Sequence, residues 1–294
     1  MSRRKFCKQC GREAFYPPET CCRACNSPAS LTASNVQIAA DDENRRALAD
    51  RYARAYSDAS AQGTGGLLEL LDRAVDRTAA VVNVDPIFAY EFLTKDDVLY
   101  APYHRLVDAG VRAPAVEAHD RHRTATDHVL YGTHGRAISF AALSLTGRGL
   151  KSYGSVHFEL ETRTVGFRST ILEENSYGFV SRHAMVPGTP RPNGYLSTWA
   201  DRRKLAVSKL AHRLRPDMTS RDVEALILED SGERASDSFL EVHVFGTFNH
   251  QAVQSVVLPR LPVRRPETVE AKVERVLVEA LKERLNANAV AWTQ

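Results

Sequence analysis

The stretch FLEVHVF at residues 239–245 alternates its side chains with a period of two. Its even-numbered positions are Leu and Val, whereas Glu241 and His243 fall on the other face between two phenylalanines. This alternation predicts a β-strand with one face in a core. A carboxylate among aromatic side chains is costly unless it is paired or functional, so Glu241 is a candidate site residue. An edge strand with a solvated glutamate is the alternative.

The same alternation predicts further strands at residues 153–160, 164–171 and 253–258. Helical spacing of apolar residues predicts helices among them at 138–146, 199–214 and 220–230. Before residue 129 the pattern is mostly helical, with helices expected at 41–61, 66–82, 87–93 and 96–108. These patterns indicate a helical segment at 36–128 followed by a mixed, β-rich domain at 129–294.

The C-terminal region has the pattern of an amphipathic helix that opens at Pro266. Its apolar stripe comprises Val269, Val273, Val276, Leu277, Ala280, Leu281 and Leu285. We expect this stripe to dock on the core of the protein, and packing against a partner helix is the alternative.

All five cysteines of the 294-residue chain lie between positions 7 and 25. They form two CxxC pairs, Cys7/Cys10 and Cys22/Cys25, at the separation of a four-thiolate zinc site. Cys21 is an alternative ligand to Cys22, although Cys22 restores the CxxC spacing. A segment this short cannot bury enough apolar surface to fold alone, so the metal has to supply the folding energy. A redox pair or chance clustering is the alternative.

Residues 5–27 resemble zinc-ribbon modules, which bind nucleic acid, bind protein or stabilise a fold. We therefore expect a structural zinc ribbon at residues 1–30, since four thiolates leave no open position for catalysis. The ribbon is basic, which favours contact with the phosphates of RNA or DNA. A solvated basic surface explains the same residues almost equally well. Its basic residues are Arg3, Arg4, Lys5, Lys8, Arg12 and Arg23. The expected fold class is α+β.

Bulk composition excludes several classes of protein. The net charge of +3 is that of an ordinary globular chain, as are the apolar fraction of 43% and the charged fraction of 26%. No apolar run approaches the roughly 18 residues of a membrane span, and the N-terminus lacks the apolar core of a signal peptide. We expect a cytoplasmic protein with no membrane partner. Phosphate-loop, nucleophile-elbow, HExxH and GxGxxG motifs are absent from the sequence.

Two further polar stretches are candidates for a site. The run LYGTHGR at 130–136 reads as a strand entering a Gly-rich turn, which lets a ligand approach the backbone; an ordinary turn explains it equally well. In the predicted strand at 164–171, Ser169 shares the apolar face, where it lines a cleft or bonds to backbone. The His- and Asp-rich run at 117–128 favours a solvated helix face over a metal site.

Three motifs in this order resemble the ADP-ribosyltransferase fold of toxin-type enzymes, over about residues 129–259. They are the Gly-Thr at 132–133, the run from GLKSYGSVHFEL at 149–160 through Arg168-Ser169-Thr170, and LEVHVFG at 240–246. The resemblance implies transfer of ADP-ribose from NAD to a macromolecule, as an intracellular toxin or defence effector with an antitoxin partner. The ribbon would help such an enzyme to hold RNA or DNA.

The resemblance also implies roles for individual residues. Glu241 would hold the nicotinamide-side ribose and stabilise an oxocarbenium-like transition state. Tyr153 or Tyr177 would stack on nicotinamide. The remaining candidates are Thr133 and His134 as NAD-binding residues, and Ser169 and Thr170 as residues that support the site and orient Glu241.

The sequence departs from that family at two positions. Tyr131 stands where the family usually has His or Arg, and Phe239 stands two residues before the glutamate, where Gln or Glu is usual. The second departure disfavours arginine as the acceptor and favours another group, such as a nucleobase. The alternatives are a non-catalytic nucleic-acid-binding or regulatory protein, and a metal-independent nuclease that uses His128, His134 or His243.

Overall fold

A computed structural model of the chain describes residues 5–6, 13–14, 33–95, 98–108, 110, 118–234, 236–261 and 268–294. Its strands are β1 (Lys5–Phe6), β2 (Glu13–Ala14), β3 (Ala79–Val84), β4 (Ile138–Ser144), β5 (Val156–Leu160), β6 (Ser169–Leu172), β7 (Leu196–Thr198), β8 (Leu228–Glu229), β9 (Ser238–Phe239), β10 (Glu241–Phe245), β11 (Val253–Val257) and β12 (Ala291–Thr293). Its α-helices are α1 (Ser34–Ala39), α2 (Asp42–Ala61), α3 (Gly65–Asp76), α4 (Pro86–Thr94), α5 (Tyr103–Asp108), α6 (Ala118–Tyr131), α7 (Thr162–Val165), α8 (Ser176–Arg182), α9 (Arg202–Leu210), α10 (Ser220–Ala225) and α11 (Val269–Ala287). Short 3-10 helices include Gly132–Ala137, Lys151–Tyr153 and Gly166–Arg168.

Eight of these strands form one mixed sheet in the order β12-β11-β5-β3-β4-β10-β6-β7, so the fold is α+β as expected. Neighbouring strands are antiparallel, apart from the parallel pair β11 and β12. Strand β10 lies between β4 and β6, so the edge-strand alternative for Glu241 is wrong. Strand β3 comes from the segment predicted as helical, and the segments 36–128 and 129–294 therefore share one sheet.

The structure corrects several of the predicted elements. The helix expected at 220–230 ends at Ala225 and is followed by β8, and in the helix expected at 96–108 the described residues are helical only over Tyr103–Asp108. Residues 79–82 belong to β3 and not to a helix, and residues 138–144 form β4 where a helix was expected. Both strands are buried on both faces, and a short continuous apolar run cannot be assigned from periodicity. The strand predicted at 164–171 begins only at Ser169, after α7 and a 3-10 turn.

The run at 130–136 also differs from its prediction. Helix α6 continues to Tyr131, and a 3-10 helix at Gly132–Ala137 connects it to β4. Gly135 is required there, because a Cβ atom at this position would lie 2.4 Å from the carbonyl oxygen of Asp127. The Gly-rich run is thus a tight connection between a helix and a strand.

Several helices begin where the sequence predicts. Asp41 caps α2 by accepting hydrogen bonds from two backbone amides, and Thr219 and Asp222 form a complete capping box on α10. Helix α11 begins after Thr268, and Pro266 lies outside the described residues. Only the second half of the predicted stripe of α11 docks: Leu281 and Leu285 are buried with Val278, whereas Val269, Val273 and Val276 are exposed.

The sheet has two different faces. The face that carries Val242 and Val244 packs into the larger core, to which helices α2, α3, α4, α9, α10 and α11 contribute buried side chains. The opposite face carries Glu241 and His243 and is covered by a smaller cluster that includes Leu130 of α6 and Phe179 of α8. Among the described residues, no helix is long and apolar enough to span a membrane.

We predict that Gly154→Ala destabilises the protein strongly. Gly154 has a φ of +150°, and a Cβ there would lie 2.4 Å from the Val84 carbonyl oxygen. Gly188 is the matched control, because its φ is +88° but no atom lies within 4 Å of its Cβ position. Urea unfolding should show Gly154→Ala to lose at least about 2 kcal/mol more than Gly188→Ala. Equal losses would show that the contact with Val84 relaxes without cost.

Candidate active site

The carboxylate of Glu241 is the centre of a buried polar cluster on the second face of the sheet. Its Oε2 accepts hydrogen bonds from the Ser176 backbone amide at 2.8 Å, the Ser176 hydroxyl, and His243 Nε2 at 2.9 Å. Its Oε1 accepts one long contact from Asn175 Nδ2 at 3.5 Å. One oxygen is therefore anchored, and the other keeps capacity to accept a hydrogen bond from a ligand.

Two residues that donate to Glu241, Asn175 and Ser176, lie where the turn after β6 enters helix α8. Asn175 follows the end of β6 and caps α8, since its side-chain oxygen accepts from the amides of Tyr177 and Gly178. This cap places Ser176 at the first position of the helix, where its amide needs an external acceptor. Glu173 fixes the preceding turn through ion pairs with Arg51, at 2.7 Å, and Arg182.

His243 is fully buried, and both of its ring nitrogens are engaged. The Tyr131 hydroxyl contacts Nδ1, while Nε2 faces Glu241 and the Ser176 hydroxyl. Burial raises the pKa of Tyr131, so its phenol stays protonated. Nε2 faces a carboxylate oxygen, which accepts, so Nε2 carries the ring proton and Nδ1 accepts from the Tyr131 hydroxyl. We therefore assign the Nε2–H tautomer to His243, which donates its proton to Glu241.

Asn35 ties this cluster together from α1. Its Nδ2 donates to the His243 carbonyl at 2.9 Å, to Thr170 Oγ1 at 3.3 Å and to the Arg168 carbonyl at 3.2 Å. Thr170 is thus part of the cluster, and its Oγ1 lies 3.4 Å from the Tyr131 hydroxyl. Asn35 is not among the predicted site residues, because it ends the Ser-, Pro- and Ala-rich stretch at residues 26–35, which carries no motif.

Ser169 does not join this cluster. It pairs with Val244, so its side chain points to the face opposite Glu241 and His243. Its hydroxyl donates to the Val165 carbonyl at 2.7 Å. This is the backbone-bonded alternative named from the sequence, and Ser169 cannot orient Glu241 by direct contact.

Tyr153 approaches the cluster from the loop between β4 and β5. Burial raises the pKa of Tyr153, and the negative charge of Glu241 raises it further, so the phenol lies within the field of that carboxylate. The Arg234 guanidinium stacks on its ring, 4.5 Å from the centroid. Its side chain remains 36% exposed, which leaves part of the ring open to a ligand.

Polar groups of two strands hold the loop that carries Tyr153. His157 Nδ1 accepts from the Gly149 amide at 2.8 Å. Asn83 accepts from the Leu150 amide at 3.0 Å and donates to the Gly154 carbonyl at 3.0 Å. Both side chains lie on the same sheet face as Glu241, so the sheet itself positions the loop.

The other predicted NAD-binding residues lie farther from this cluster. Thr133 and His134 are exposed on the 3-10 helix after α6, and within the described chain neither hydrogen-bonds to Glu241 or its partners. Tyr177 is 50% exposed and follows Ser176 directly, which places it at the rim of the cluster. Of the predicted set, Thr170 belongs to the hydrogen-bonded cluster of Glu241, and Tyr177 directly follows its member Ser176. Tyr153 makes no hydrogen bond to this cluster among the described residues and is linked to it only by the charge of Glu241.

One residue of the His- and Asp-rich run, Asp127, forms a buried pair with His104 of α5. Asp127 and His104 are both buried, and the distance from Oδ2 to Nε2 is 3.1 Å. Burial raises the pKa of the Asp127 carboxyl. The prediction of a solvated face is wrong for Asp127 and right for His128, which is exposed. Where side chains are described, no group of three or more His, Cys, Asp or Glu could hold a metal ion.

The predicted zinc ligands Cys7, Cys10, Cys22 and Cys25 lie outside the described residues. No protein-family model matches the chain, and no curated protein matches it. The function therefore has to be argued from the residues of the site.

We predict an acid-sensitive stability that depends on His157. Burial, aided by the positive charges of Arg148 and Lys151, lowers the pKa of His157 from 6.5 to about 4. Folding therefore favours the neutral ring, and this stability is present above pH 6.5 and lost as the pH falls towards 4. The unfolding free energy should drop by on the order of 3 kcal/mol across this window.

The comparison of two histidine variants isolates this contribution. His157→Gln should lose the steep decrease between pH 6.5 and 4 in urea unfolding, whereas His212→Gln, at an exposed site, should keep it. An unchanged pH dependence in His157→Gln would contradict the assignment.

Proposed function

We propose that this protein cleaves NAD at the nicotinamide–ribose bond and transfers the ADP-ribose to a macromolecule. The observation that carries the proposal is the Glu241 carboxylate, which is held by donors on Oε2 and keeps Oε1 available. A fixed negative charge with a free acceptor oxygen suits a reaction in which positive charge develops on a sugar.

The chemistry follows from this arrangement. The glycosidic C–N bond breaks, and its electron pair leaves with nicotinamide, which becomes neutral. Positive charge then develops at the anomeric carbon and the ring oxygen of the ribose. Glu241 accepts a hydrogen bond from a ribose hydroxyl and stabilises this charge, and the acceptor forms the new bond to the anomeric carbon as it loses a proton.

Neighbouring residues supply binding and orientation. The partly exposed ring of Tyr153 would stack on nicotinamide, and Tyr177 at the rim is the alternative. Ser176 and His243 hold Glu241, and Thr170 supports them through Tyr131 and Asn35. Ser169 has no part in this proposal, because it lies on the opposite face of the sheet.

The acceptor and the ribbon form the second part of the proposal. A basic zinc ribbon would hold RNA or DNA near the site, which fits a nucleobase acceptor and a role as a toxin or defence effector. Strands β1 and β2 pair as Lys5 with Ala14 and Phe6 with Glu13, and Cys7 and Cys10 lie between them in the sequence. A hairpin around the first CxxC supports the proposal of a metal-binding knuckle. An inhibitory partner protein would be needed by such a toxin.

The geometry favours this function over a metal-independent nuclease. His243 is fully buried with both ring nitrogens hydrogen-bonded, whereas His128 and His134 are exposed. A nuclease needs its acid and base around one accessible phosphate, and these three histidines do not provide that.

We predict that Glu241→Gln abolishes the release of nicotinamide from NAD. Gln keeps the size of the side chain and removes the charge that stabilises the transition state, so the rate should fall by about 10²-fold or more. The measurement is chromatographic quantification of nicotinamide after incubation of the full-length protein with NAD, with and without added RNA, DNA and protein.

Glu159→Gln is the matched control for that variant. Glu159 is on the same sheet face, three strands away, at about 14 Å by the usual ~4.8 Å strand spacing. It should retain wild-type release. Equal loss in both variants, or no release from the wild type, would contradict the proposal.

The ribbon makes a separate prediction. The full-length protein should contain one zinc ion per chain by plasma mass spectrometry. Cys22→Ser should lose most of this zinc, because Cys22 restores the CxxC spacing with Cys25. Cys21→Ser should retain it. Retention in Cys22→Ser with loss in Cys21→Ser would assign the ligand to Cys21.

A further inference from the structure

His104 of α5 and Asp127 of α6 form a buried acid–base pair that the proposed reaction has not used. His104 is 6% exposed and Asp127 is 2% exposed. The free energy of desolvating two charged groups can exceed the free energy of their attraction. Burial of an Asp–His pair is therefore weak evidence that the pair stabilises the fold. A buried titratable pair beside another polar cluster is a candidate for chemistry.

This pair is adjacent to the Glu241 cluster. Asp127 and Tyr131 lie one helical turn apart on α6, and the Tyr131 hydroxyl contacts His243. The negative charge of Glu241 acts on the Asp127 carboxyl. Glu241 and the His104–Asp127 pair therefore belong to one continuous polar region beneath α6.

Arg123 lies one helical turn before Asp127 on α6 and contacts the same region. Its guanidinium lies 5.1 Å from the centroid of the Phe140 ring, and that ring is 5.0 Å from the ring of His243. Arg123 also lies over Tyr103, the neighbour of His104, at 5.9 Å. Side chains from α5, α6, β4 and β10 are thus linked by a series of ring contacts.

The two carboxyl groups of this region have different environments. Glu241 accepts hydrogen bonds from Ser176 and His243, whereas Asp127 has His104 as its hydrogen-bond partner and burial raises the pKa of its carboxyl. Two carboxyl groups held apart in this way divide the roles of charge stabilisation and proton transfer. Among the described residues, no hydrogen bond reaches the other ring nitrogen of His104, Nδ1, so this atom keeps its capacity to accept a proton.

We propose that the His104–Asp127 pair is the general base that takes the proton from the attacking acceptor. This inference rests on the proposed cleavage of NAD. As the acceptor forms its bond to the anomeric carbon, its proton moves to His104 Nδ1, and Asp127 stabilises the resulting imidazolium. The acceptor is then a group that must lose a proton, such as a hydroxyl or the N–H of a nucleobase, and water takes its place when no acceptor is present.

The test compares water with azide as the attacking group. Azide is an anion with no proton to lose, so it needs no base. His104→Asn should release nicotinamide from NAD at least about 10²-fold more slowly than the wild type in buffer. Sodium azide should restore most of that rate in His104→Asn and yield ADP-ribosyl azide, whereas Glu241→Gln should not recover.

Two further variants keep the test decisive. Asp127→Asn should show the same loss and the same azide recovery, and it carries the test if His104→Asn melts below the assay temperature. His128→Asn, at the exposed neighbour of Asp127, should behave as wild type. Wild-type rates in His104→Asn and Asp127→Asn, or a loss that azide does not restore in a folded variant, overturn the assignment of the base. No release of nicotinamide by the wild type overturns the cleavage of NAD and the base assignment with it.

Discussion

The burial of the Glu241 carboxylate constrains the relative positions of two strands and three helices. Glu241 begins a central strand and is 6% exposed, and a buried carboxylate without partners costs several kcal/mol or shifts to its neutral form. Its donors come from the start of α8 and from His243 on the same strand. Strands β6 and β10, the turn that follows β6, and helix α8 must therefore keep one relative position. Asn35 and Tyr131 extend this requirement to α1 and α6.

The two faces of the sheet differ in composition: one packs into the apolar core, and the other carries the polar cluster of Glu241. The face of Val242 and Val244 packs into the large core and gives the strands their rigidity. The other face carries the polar cluster on the same strands, so the position of Glu241 follows from packing on the far side. The loop that carries Tyr153 is tied to this face by Asn83 and His157. A site built on strands and supported in this way is more precisely placed than one on free loops.

Elements with a clear periodicity were predictable, and elements buried on both faces were not. The alternation at 239–245 identified β10 and its polar face, and helical spacing located the starts of α2 and α10 to within one residue. The pattern predicts helix over β4 and over residues 79–82 of β3, because a continuous apolar run has neither period. Ser169 lies on the buried apolar face with Ile171, as the alternation predicts. Only the role that the resemblance implied for it is wrong, because this face is opposite to Glu241.

The sequence by itself determined the α+β class, the polar face of β10 and Glu241 as the candidate carboxylate, because each depends on a local pattern of side chains. The grouping of all five cysteines between positions 7 and 25 is also visible in the sequence alone. Only the tertiary structure decided the partners of Glu241, since Ser176 is 65 residues away and Asn35 lies 208 residues from His243. Hydrogen bonds over such separations depend on strand order and helix packing, which no local pattern records. The same holds for His104 and Asp127, which are a pair only because α5 and α6 pack against each other.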